Sequence, residues 1–427
     1  MFWIVFVAAF IVMIALRWVS PYFAHVGAWI EMRLPVRAFF VEHLAHYPAP
    51  KNLNYLYAFG ALAMVAVALQ YITGIWLVMY YVPTAEGAFA SVQEIMREVP
   101  YGWLVRYLHA TGVSAWFLVI YVHIFRALLY GSYLYPRELL WISGIVLLFL
   151  LMGEAFTGYS LPYGQMSLWG AKVILSLLSA IPWIGEDLMV WVQGDYAVSG
   201  VTLHRLFAFH VVGFSFILLF FVFLHIVLLH TVGSNNPEGI DIKKHKDKHG
   251  WPLDAIPYYP MFILKYIPVV LIYLMLILAV VFYAPTFYGL ILEPENFEAA
   301  NELVTPEHIV PAWYLSPYFA ILRAVPGKSL GALAMLASLL LWAFLPWLDG
   351  SSAKSMRYKG FWNRALFLMV IISFLALGLL GRFAAVGSVV FWSRVFTVIY
   401  FAYFALLPIV SRLEPCHKVP ERIGEAA

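Results

Sequence analysis

Eight long apolar runs restrict this 427-residue chain to a fold that crosses a lipid bilayer several times. About 20 apolar residues in an α-helix are needed to cross about 30 Å of hydrocarbon. With 63% hydrophobic and only 11% charged residues, the composition excludes a soluble globular domain. The sequence therefore predicts an all-α polytopic membrane protein. The predicted spans are 55–82, 104–131, 139–161, 201–232, 262–285, 326–348, 361–380 and 391–411.

The segments outside these spans differ in character. The stretch 1–16 is apolar throughout but slightly short for a span, so its placement in the membrane stays open. Stretches 166–181 and 184–192 carry too many turn residues and charges to cross, and they predict amphipathic helices at the membrane surface.

Basic residues concentrate in the loops after the second, fourth and sixth predicted spans and in the tail. The densest run, residues 243–248, carries four lysines. The opposite loops are poorer in lysine and arginine for their length. By the positive-inside rule, the even-numbered loops and the tail are predicted to be cytoplasmic.

Four histidines lie inside the apolar runs, two on the second predicted span and two on the fourth. His109 and His123 are 14 residues apart, and His210 and His225 are 15 apart. Fourteen residues fall about 40° short of four helical turns and fifteen overshoot by about 60°, so each pair faces roughly one side, about 21–22 Å apart along the axis. Two such helices together predict two His–His pairs, each able to hold a haem iron.

Glycines on the flanking spans repeat the histidine spacing. Gly60 and Gly74 are 14 residues apart on the first predicted span, and Gly144 and Gly158 are 14 apart on the third. Because glycine has no side chain, a flat macrocycle can approach the backbone there. For any single glycine, the alternative is ordinary small-residue helix packing.

Three arginines lie near the histidines in sequence: Arg106, Arg126 and Arg205. Their positions predict pairing with haem propionates, although an arginine near a span end can also simply extend its side chain to water. The only cysteine is Cys416 and no Cys-x-x-Cys-His motif occurs, so the haems are expected to be non-covalent, b-type groups.

Long stretches of the chain resemble the cytochrome b subunit of the quinol–cytochrome c oxidoreductase (cytochrome bc) complex in its bacterial, unsplit, eight-span form. The resemblance runs from about Trp29 to the tail, and residues 1–19 have no counterpart. The stretches that carry it are GWLVRYLHATG (102–112), FRALLYGSY (125–133), GYSLPYGQMSLWGA (158–171), LHRLFAFH (203–210), HIVLLHTVGSNNP (225–237) and TPEHIVPAWY (305–314).

The resemblance implies a division of the chain into five parts. These are an N-terminal apolar segment and surface helix (1–54), a diheme four-helix bundle (55–235), a cytoplasmic loop (236–261), a four-span region with the PAWY loop (262–411) and a cytoplasmic tail (412–427).

The resemblance also implies the ligand sets. His109 and His210 would hold a low-potential haem near the periplasm, and His123 and His225 a high-potential haem near the cytoplasm. Quinol would be oxidised on the periplasmic side in a pocket resembling Gly158–Gly170 plus Pro311–Tyr314, which includes Tyr159, Gly170, Pro311, Trp313 and Tyr314. Quinone would be reduced on the cytoplasmic side near His230 and Ser234.

The implied partners follow from the same family. They are a Rieske iron–sulfur protein, a cytochrome c-type subunit, quinone, membrane lipid and a second copy of the complex, in a bacterial inner membrane. One electron would go to the Rieske protein and the other across the membrane through both haems, which contributes to a proton gradient. No nucleic-acid partner is expected.

The 15-residue step between His210 and His225 matches the shorter photosynthetic relatives and some bacterial members, whereas animal-type members have 14, and a local widening of the helix is expected to absorb the extra residue. The chain departs from the family pattern in three places. Ala312 replaces the glutamate of Pro-Glu-Trp-Tyr, which is usually proposed to accept a proton from quinol. The family's Phe-Tyr is Tyr318-Phe319, and an expected aspartate is Tyr266.

Glu154 is our candidate for the missing proton acceptor. It lies one turn before Gly158 and is expected to share its haem-facing side. An ionisable residue inside a span is a functional candidate. The alternative is a carboxyl group that is simply hydrogen-bonded to a neighbouring helix.

Two other functions stay open at the sequence level. A diheme membrane anchor of a dehydrogenase would use similar histidines but fewer spans. A proton-coupled transporter with intramembrane histidines would bind no haem.

Overall fold

The computed structural model describes residues 21–35, 41 and 46–425. Within these residues, eight helices are long and apolar enough to cross a membrane, which confirms the predicted all-α polytopic class. The apolar stretch 1–16 lies outside the described residues. The spans, in chain order, are Tyr55–Val78, Gly102–Tyr130, Glu138–Ser160, Gly200–Val232, Met261–Tyr283, Lys328–Leu348, Phe361–Leu380 and Gly387–Leu413.

Three of these spans contain tighter or wider turns. The first opens with a 3₁₀ turn, Tyr55–Tyr57. The fourth has a π-helical turn, Phe209–Phe214, between its two α-helical parts, Gly200–Ala208 and Ser215–Val232. The sixth has a 3₁₀ turn between its two α-helical parts, and its three segments are Lys328–Leu340, Leu341–Phe344 and Leu345–Leu348.

Shorter elements connect the spans. The predicted amphipathic stretches form two helices between the third and fourth spans. The short α-helices are Pro21–Arg33, Ala88–Arg97, Gln165–Ser176, Gly185–Gln193 and Ser316–Ala324. Further 3₁₀ turns are Leu177–Ala180, Pro294–Phe297 and Trp313–Leu315. Strands Pro48–Pro50 and Ala255–Pro257 pair antiparallel.

The first four spans form two helix pairs. The first span packs against the second, and the third packs against the fourth. Small residues at the contacts let the helices of each pair approach closely. The histidine-bearing second and fourth spans thus present faces to one another across the space between the pairs.

The loops after the even-numbered spans meet at one end of the bundle. Asn235 donates to the carbonyl of Tyr130 at 2.7 Å, and Ser355 donates to the carbonyl of Pro237 at 2.7 Å. Gly131 ends the second span in a left-handed conformation (φ 64°). A side chain there would also run into the carbonyl of Lys354, 2.2 Å from the position of a Cβ. Glycine is therefore required both by the turn and by the packing.

The C-terminal spans dock on the second span through aromatic side chains. Phe117 and Tyr314 stack with ring centroids 3.9 Å apart and planes within 4°. Tyr121 donates to the backbone carbonyl of Tyr314, and Trp313 Nε1 donates to Ser114 Oγ at 3.2 Å. These contacts hold the segment Pro311–Tyr314 directly beside the histidine-bearing helix.

A buried ion pair closes the loop after the sixth span. Lys359 Nζ donates to Asp349 Oδ2, and both side chains are fully buried. Tyr133, from the loop after the second span, donates to the same carboxylate. Burial by itself would raise the pKa of Asp349, but the Lys359 ammonium and the hydrogen bonds outweigh it and hold the pKa below its usual value. Asp349 is therefore an ionised partner of a true salt bridge.

Replacing one partner of this pair is expected to destabilise the chain strongly. Asp349→Asn leaves the Lys359 charge buried without a counter-charge, at a cost of about 3–5 kcal/mol. We expect a lower midpoint of thermal unfolding in detergent. The double substitution Asp349→Leu with Lys359→Met is expected to recover much of the loss, because no unpaired charge remains. Glu302→Gln is the matched control, since its pair with Lys172 is partly exposed and worth about 0–1 kcal/mol. Equal effects of Asp349→Asn and Glu302→Gln would contradict this account.

Candidate functional site

Two histidine rings face each other between the helix pairs. The ring centroids of His109 and His210 are 6.2 Å apart, and their planes are perpendicular. Bonds between a metal ion and imidazole nitrogen are about 2 Å long, so two imidazoles bound to opposite sides of one ion have centroids roughly 6 Å apart. The spacing of this pair therefore fits a single metal ion between the rings.

Hydroxyl groups fix the tautomer of two histidines. Thr73 Oγ1 donates to the carbonyl of Leu69 at 2.6 Å and lies 2.8 Å from His109 Nδ1. Ser143 Oγ donates to the carbonyl of Leu140 at 2.8 Å and lies 2.8 Å from Nδ1 of His225. Because each hydroxyl proton points to a carbonyl, the hydroxyl oxygen can accept a hydrogen bond from Nδ1 of its ring. Nε2 then carries the lone pair that a metal ion needs.

The third histidine, His210, has a backbone carbonyl instead of a hydroxyl next to its Nδ1. His210 Nδ1 lies 3.0 Å from the carbonyl oxygen of Glu154, which can only accept, and 3.2 Å from the Glu154 carboxylate. His210 therefore also has its Nδ1 protonated and its Nε2 available. His123 differs, because Arg126 Nη2 lies 3.3 Å from its Nδ1 as a donor.

Each of the four spaced glycines lies against one histidine ring. A Cβ on Gly60 would come within 3.4 Å of His123, and a Cβ on Gly74 within 3.3 Å of His109. A Cβ on Gly144 would approach His225 to 3.3 Å, and one on Gly158 would approach His210 to 2.5 Å. The glycines thus make room for the imidazole rings, at the positions where a flat macrocycle is expected to approach the backbone.

The expected widening of the fourth span is confirmed. The π-helical turn at Phe209–Phe214 begins one residue before His210. The hydroxyl of Ser215 donates to the carbonyl of His210 at 2.6 Å. A π turn adds one residue to a helix, so the 15-residue step still allows His210 to face His109 and His225 to face the third span.

Two of the three candidate arginines are buried beside the histidines. Arg106 lines the space between His109 and His210, and its Nη1 has no hydrogen-bond partner among the described residues. Arg126 lies over the ring of Tyr57 at 4.4 Å, and its Nε is likewise unpartnered there. Unsatisfied guanidinium groups at such depth fit carboxylates of a bound group.

The third arginine lies elsewhere. Arg205 donates to the backbone carbonyl of Trp191 and does not line the cavity between the helix pairs.

A cavity of about 260 Å³ extends from the opposed rings to the Pro311–Tyr314 segment. Among the candidate residues, its lining includes Gly74, Arg106, His109, Glu154, Gly158, Tyr159, His210 and Tyr314. Ala312 also lines it, so the position where the family has glutamate faces the cavity. Pro311, Trp313 and Gly170 adjoin this region without lining the cavity, and a Cβ on Gly170 would lie 3.6 Å from Tyr159.

The displaced tyrosine does not replace the missing acid. Tyr318 is 4% exposed and packs in the core, where its ring centroid is 5.9 Å from that of Phe374. Phe319 lies under the guanidinium of Arg323 instead. Neither side chain lines the cavity.

A second group of polar residues lies at the end of the bundle where the even-numbered loops meet. The ring of Tyr47 lies 4.7 Å from that of His230. Its hydroxyl accepts from the backbone N–H of Ser234 at 2.9 Å and lies 3.2 Å from Ser234 Oγ. Tyr266, in the place of the family's aspartate, is buried nearby against Phe262, with its hydroxyl unpartnered among the described residues.

Sequence reasoning missed several of these residues. Thr73 and Ser143 each directly precede a spaced glycine, and this repeated hydroxyl–glycine pair was a usable signal. Tyr47 had no such signal, because only the antiparallel pairing of Pro48–Pro50 with Ala255–Pro257 brings it to His230.

Comparison with known proteins gives consistent matches along the chain. The family described as Cytochrome b/b6/petB matches residues 44–233, and the family described as Cytochrome b(C-terminal)/b6/petD matches residues 299–401. The chain belongs to the cytochrome b family. As a cytochrome b it is an electron-transfer subunit of a quinol–cytochrome c oxidoreductase, with b-type haem as the family's cofactor. A dehydrogenase anchor and a transporter are thereby excluded.

Individual relatives cover most of the chain. It is 49% identical to cytochrome b of Allochromatium vinosum over 407 residues, which are 93% of this chain and 97% of that protein. It is 42% identical to "Cytochrome b/c1" of Bradyrhizobium diazoefficiens over 93% of this chain and 56% of that protein. A structure of a "Hyperthermophilic respiratory Complex III" matches with a TM-score of 0.84 and 38% identity, covering 91% of this chain and 99% of that one.

Gly158 is expected not to tolerate even a methyl side chain, because the ring of His210 lies directly beside it. Gly158→Ala places a Cβ 2.5 Å from His210 Cε1, and the hydrogen bond from Nδ1 to Glu154 prevents the ring from moving away. We expect a marked loss of one b-haem signal in the reduced-minus-oxidised spectrum. Gly60→Ala is the matched comparison, with 3.4 Å to His123 and a smaller expected loss. Full haem content in Gly158→Ala would be inconsistent with this packing.

Proposed function

We propose that this chain oxidises quinol at the membrane face formed by the odd-numbered loops and reduces quinone at the opposite face. The opposed rings of His109 and His210, both with Nδ1 held and Nε2 available, carry the proposal. Releasing protons from quinol on one side and taking them up with quinone on the other contributes to a proton gradient.

We assign the residues that would hold haem as two histidine pairs, His109 with His210 and His123 with His225. When bound, haem iron supplies one-electron transfer. The protein would contribute the four imidazoles, and the Nδ1 hydrogen bonds of His109, His210 and His225 orient those three rings and raise their basicity. The buried arginines Arg106 and Arg126 would pair with the propionates; Arg205 is left out because it turns to Trp191.

The quinol pocket is assigned to the end of the cavity bounded by Tyr159, Gly170 and the segment Pro311–Tyr314. Trp313 and Tyr314 are fixed on the second span through Ser114, Phe117 and Tyr121. This end of the cavity is therefore rigidly placed relative to His109, as electron transfer from a bound quinol requires.

The quinone-reducing site is assigned to Tyr47, His230 and Ser234. The hydroxyl groups of Tyr47 and Ser234 lie next to each other, and the ring of Tyr47 packs against the imidazole of His230. Reduction of quinone takes up protons, so polar hydrogen-bonding groups within reach of its oxygens are needed. Tyr47 adds a hydroxyl that the sequence comparison with the family did not supply.

The proposed partners are a Rieske iron–sulfur protein, a cytochrome c-type subunit and a second copy of the complex. Similarity to a chain of a respiratory Complex III supports assembly with such subunits. The name of the Bradyrhizobium relative joins cytochrome b and c1 in one protein. We place the chain in a bacterial inner membrane with its even-numbered loops in the cytoplasm, as the lysines of residues 243–248 indicate.

The direct test uses the complex purified with its partner subunits. We expect two b-type components in a redox titration and quinol-dependent reduction of cytochrome c. His210→Leu is expected to remove one component, whereas His204→Leu, an exposed histidine on the same helix, is expected to retain both. A single component in the wild-type complex, or no quinol-dependent activity, would refute the proposal.

The Ser143 hydroxyl is expected to tune one haem only. Ser143→Ala removes the acceptor of the His225 Nδ1–H, which lowers the basicity of that ligand and stabilises the ferric state less. We expect a higher midpoint potential for one haem and an unchanged potential for the other in a redox titration. Ser373→Ala is the control, because Ser373 also donates to a carbonyl three residues earlier, at 2.9 Å, but lies on the seventh span. Equal shifts of both haems in Ser143→Ala would contradict the assignment.

A further inference from the structure

A buried carboxylate lies in the segment between the fifth span and Pro311. Glu293 is 3% exposed and precedes the 3₁₀ turn Pro294–Phe297. A carboxyl group removed from water in this way is costly unless it is hydrogen-bonded or has a functional role. No motif of the sequence had singled it out.

Glu293 is joined to the cavity through a phenol. Tyr159, which lines the cavity, donates from its hydroxyl to Glu293 Oε2 at 3.0 Å. The other carboxylate oxygen, Oε1, has no hydrogen-bond partner among the described residues. The carboxylate therefore has one oxygen tied to a cavity-lining tyrosine and another still able to accept a hydrogen bond.

An arginine fixes this carboxylate relative to the cavity wall. Arg382 Nη1 lies 4.0 Å from Glu293 Oε1 and donates to the carbonyl of Pro311 at 2.9 Å. Arg382 Nη2 donates to the carbonyl of Gly289 at 3.1 Å. One side chain at the end of the seventh span thus connects the Glu293 segment with the residue that precedes Ala312.

The charge balance around Glu293 suits a group that gains and loses a proton. Burial raises the pKa of its carboxyl group above the usual value and the nearby charge of Glu295 adds to that rise, while the Tyr159 hydrogen bond and the Arg382 charge partly offset it. Glu154, the other carboxylate at the cavity, contacts different groups. Its Oε1 accepts from Ser215 at 3.0 Å and lies 3.2 Å from Nδ1 of the ligand His210.

We propose that Tyr159 and Glu293 form the proton-accepting relay for quinol oxidation in this chain. The relay takes the place of the family's glutamate, whose position is occupied by Ala312 here. The inference rests on the proposed function. A quinol hydroxyl gives its proton to the Tyr159 oxygen as the Tyr159 proton passes to Glu293 Oε2. The quinol O–H bond breaks, a Glu293 O–H bond forms, and Tyr159 is unchanged overall. The electrons leave quinol to the one-electron acceptors of the complex.

The relay accounts for one of the two protons of quinol and delivers it to the correct side. Glu293 lies in the loop after the fifth span, on the face formed by the odd-numbered loops. Arg382 acts as a positioning residue, since it touches the backbone of the pocket and the carboxylate but does not line the cavity.

The test compares pH profiles of quinol-dependent cytochrome c reduction in the purified complex. Glu293 must be ionised to accept a proton, so the wild-type rate should rise with pH through its pKa and then level off. Glu293→Gln keeps the shape and the Tyr159 hydrogen bond but cannot be protonated. We expect its rate to fall by about 10²-fold, the low end for a positioned acid or base, and the rise with pH to disappear.

Two variants provide the controls. Glu298→Gln removes an exposed carboxylate from the same segment without touching the charges that act on Glu293, and it is expected to keep the wild-type rate and profile. Glu293→Asp retains a carboxylate and is expected to restore the rise with pH. Haem spectra, recorded for each variant, should match the wild type because Glu293 does not contact the histidines.

The outcomes separate the relay from the function it serves. A Glu293→Gln complex with wild-type rate and pH profile would overturn the relay, as would equal loss in Glu293→Gln and Glu293→Asp with the rise retained in both. If Glu293→Gln failed to assemble, Tyr159→Phe would decide, with loss of the rise supporting the relay and its retention overturning it. Absence of quinol oxidation in the wild-type complex with both haems would overturn the proposed function and the relay together.

Discussion

The hydrogen bond at Nδ1 of His109, His210 and His225 is the interaction on which the rest of this structure depends. An imidazole inside a bilayer is costly unless its polar atoms are satisfied. His109, His210 and His225 satisfy Nδ1 by donating from it to oxygen atoms of the neighbouring span. The acceptors are the hydroxyl of Thr73 for His109, the carbonyl of Glu154 for His210 and the hydroxyl of Ser143 for His225. The same bond leaves Nε2 with the lone pair that a metal ion needs.

Helix packing follows from this constraint. A ring that bonds to the adjacent span must lie close against it, and glycine at positions such as Gly74 and Gly158 leaves the room. The first span is therefore tied to the second and the third to the fourth, as two pairs with a cavity between them. In a regular α-helix, the extra residue between His210 and His225 would rotate one ring out of place. The π-helical turn corrects this rotation.

The second half of the chain closes one end of this cavity and supplies part of its lining. Tyr314 is stacked on Phe117 and hydrogen-bonded to Tyr121, which fixes the end of the cavity next to the second span. Arg382 then links that segment to the loop that carries Glu293. The relay proposed above joins three segments of the chain, and Arg382 holds two of them in place.

The sequence by itself determined the membrane class, the eight spans and the four histidines. Apolar run length and helical period are local properties that survive in any tertiary context. The family resemblance added the ligand pairs and the two quinone regions. Arg205 shows where local reasoning ends, because its distance from His210 in sequence did not reveal that its side chain turns to Trp191.

Only the tertiary structure decided which groups complete the sites. Thr73 and Ser143 act on rings carried by other helices, and Tyr47 reaches His230 through strand pairing across more than 180 residues. Glu293 meets Tyr159 across 134 residues of chain. Such contacts depend on how helices and loops are packed in three dimensions, and a polar residue in a loop has no periodic signal that would indicate where its side chain ends up.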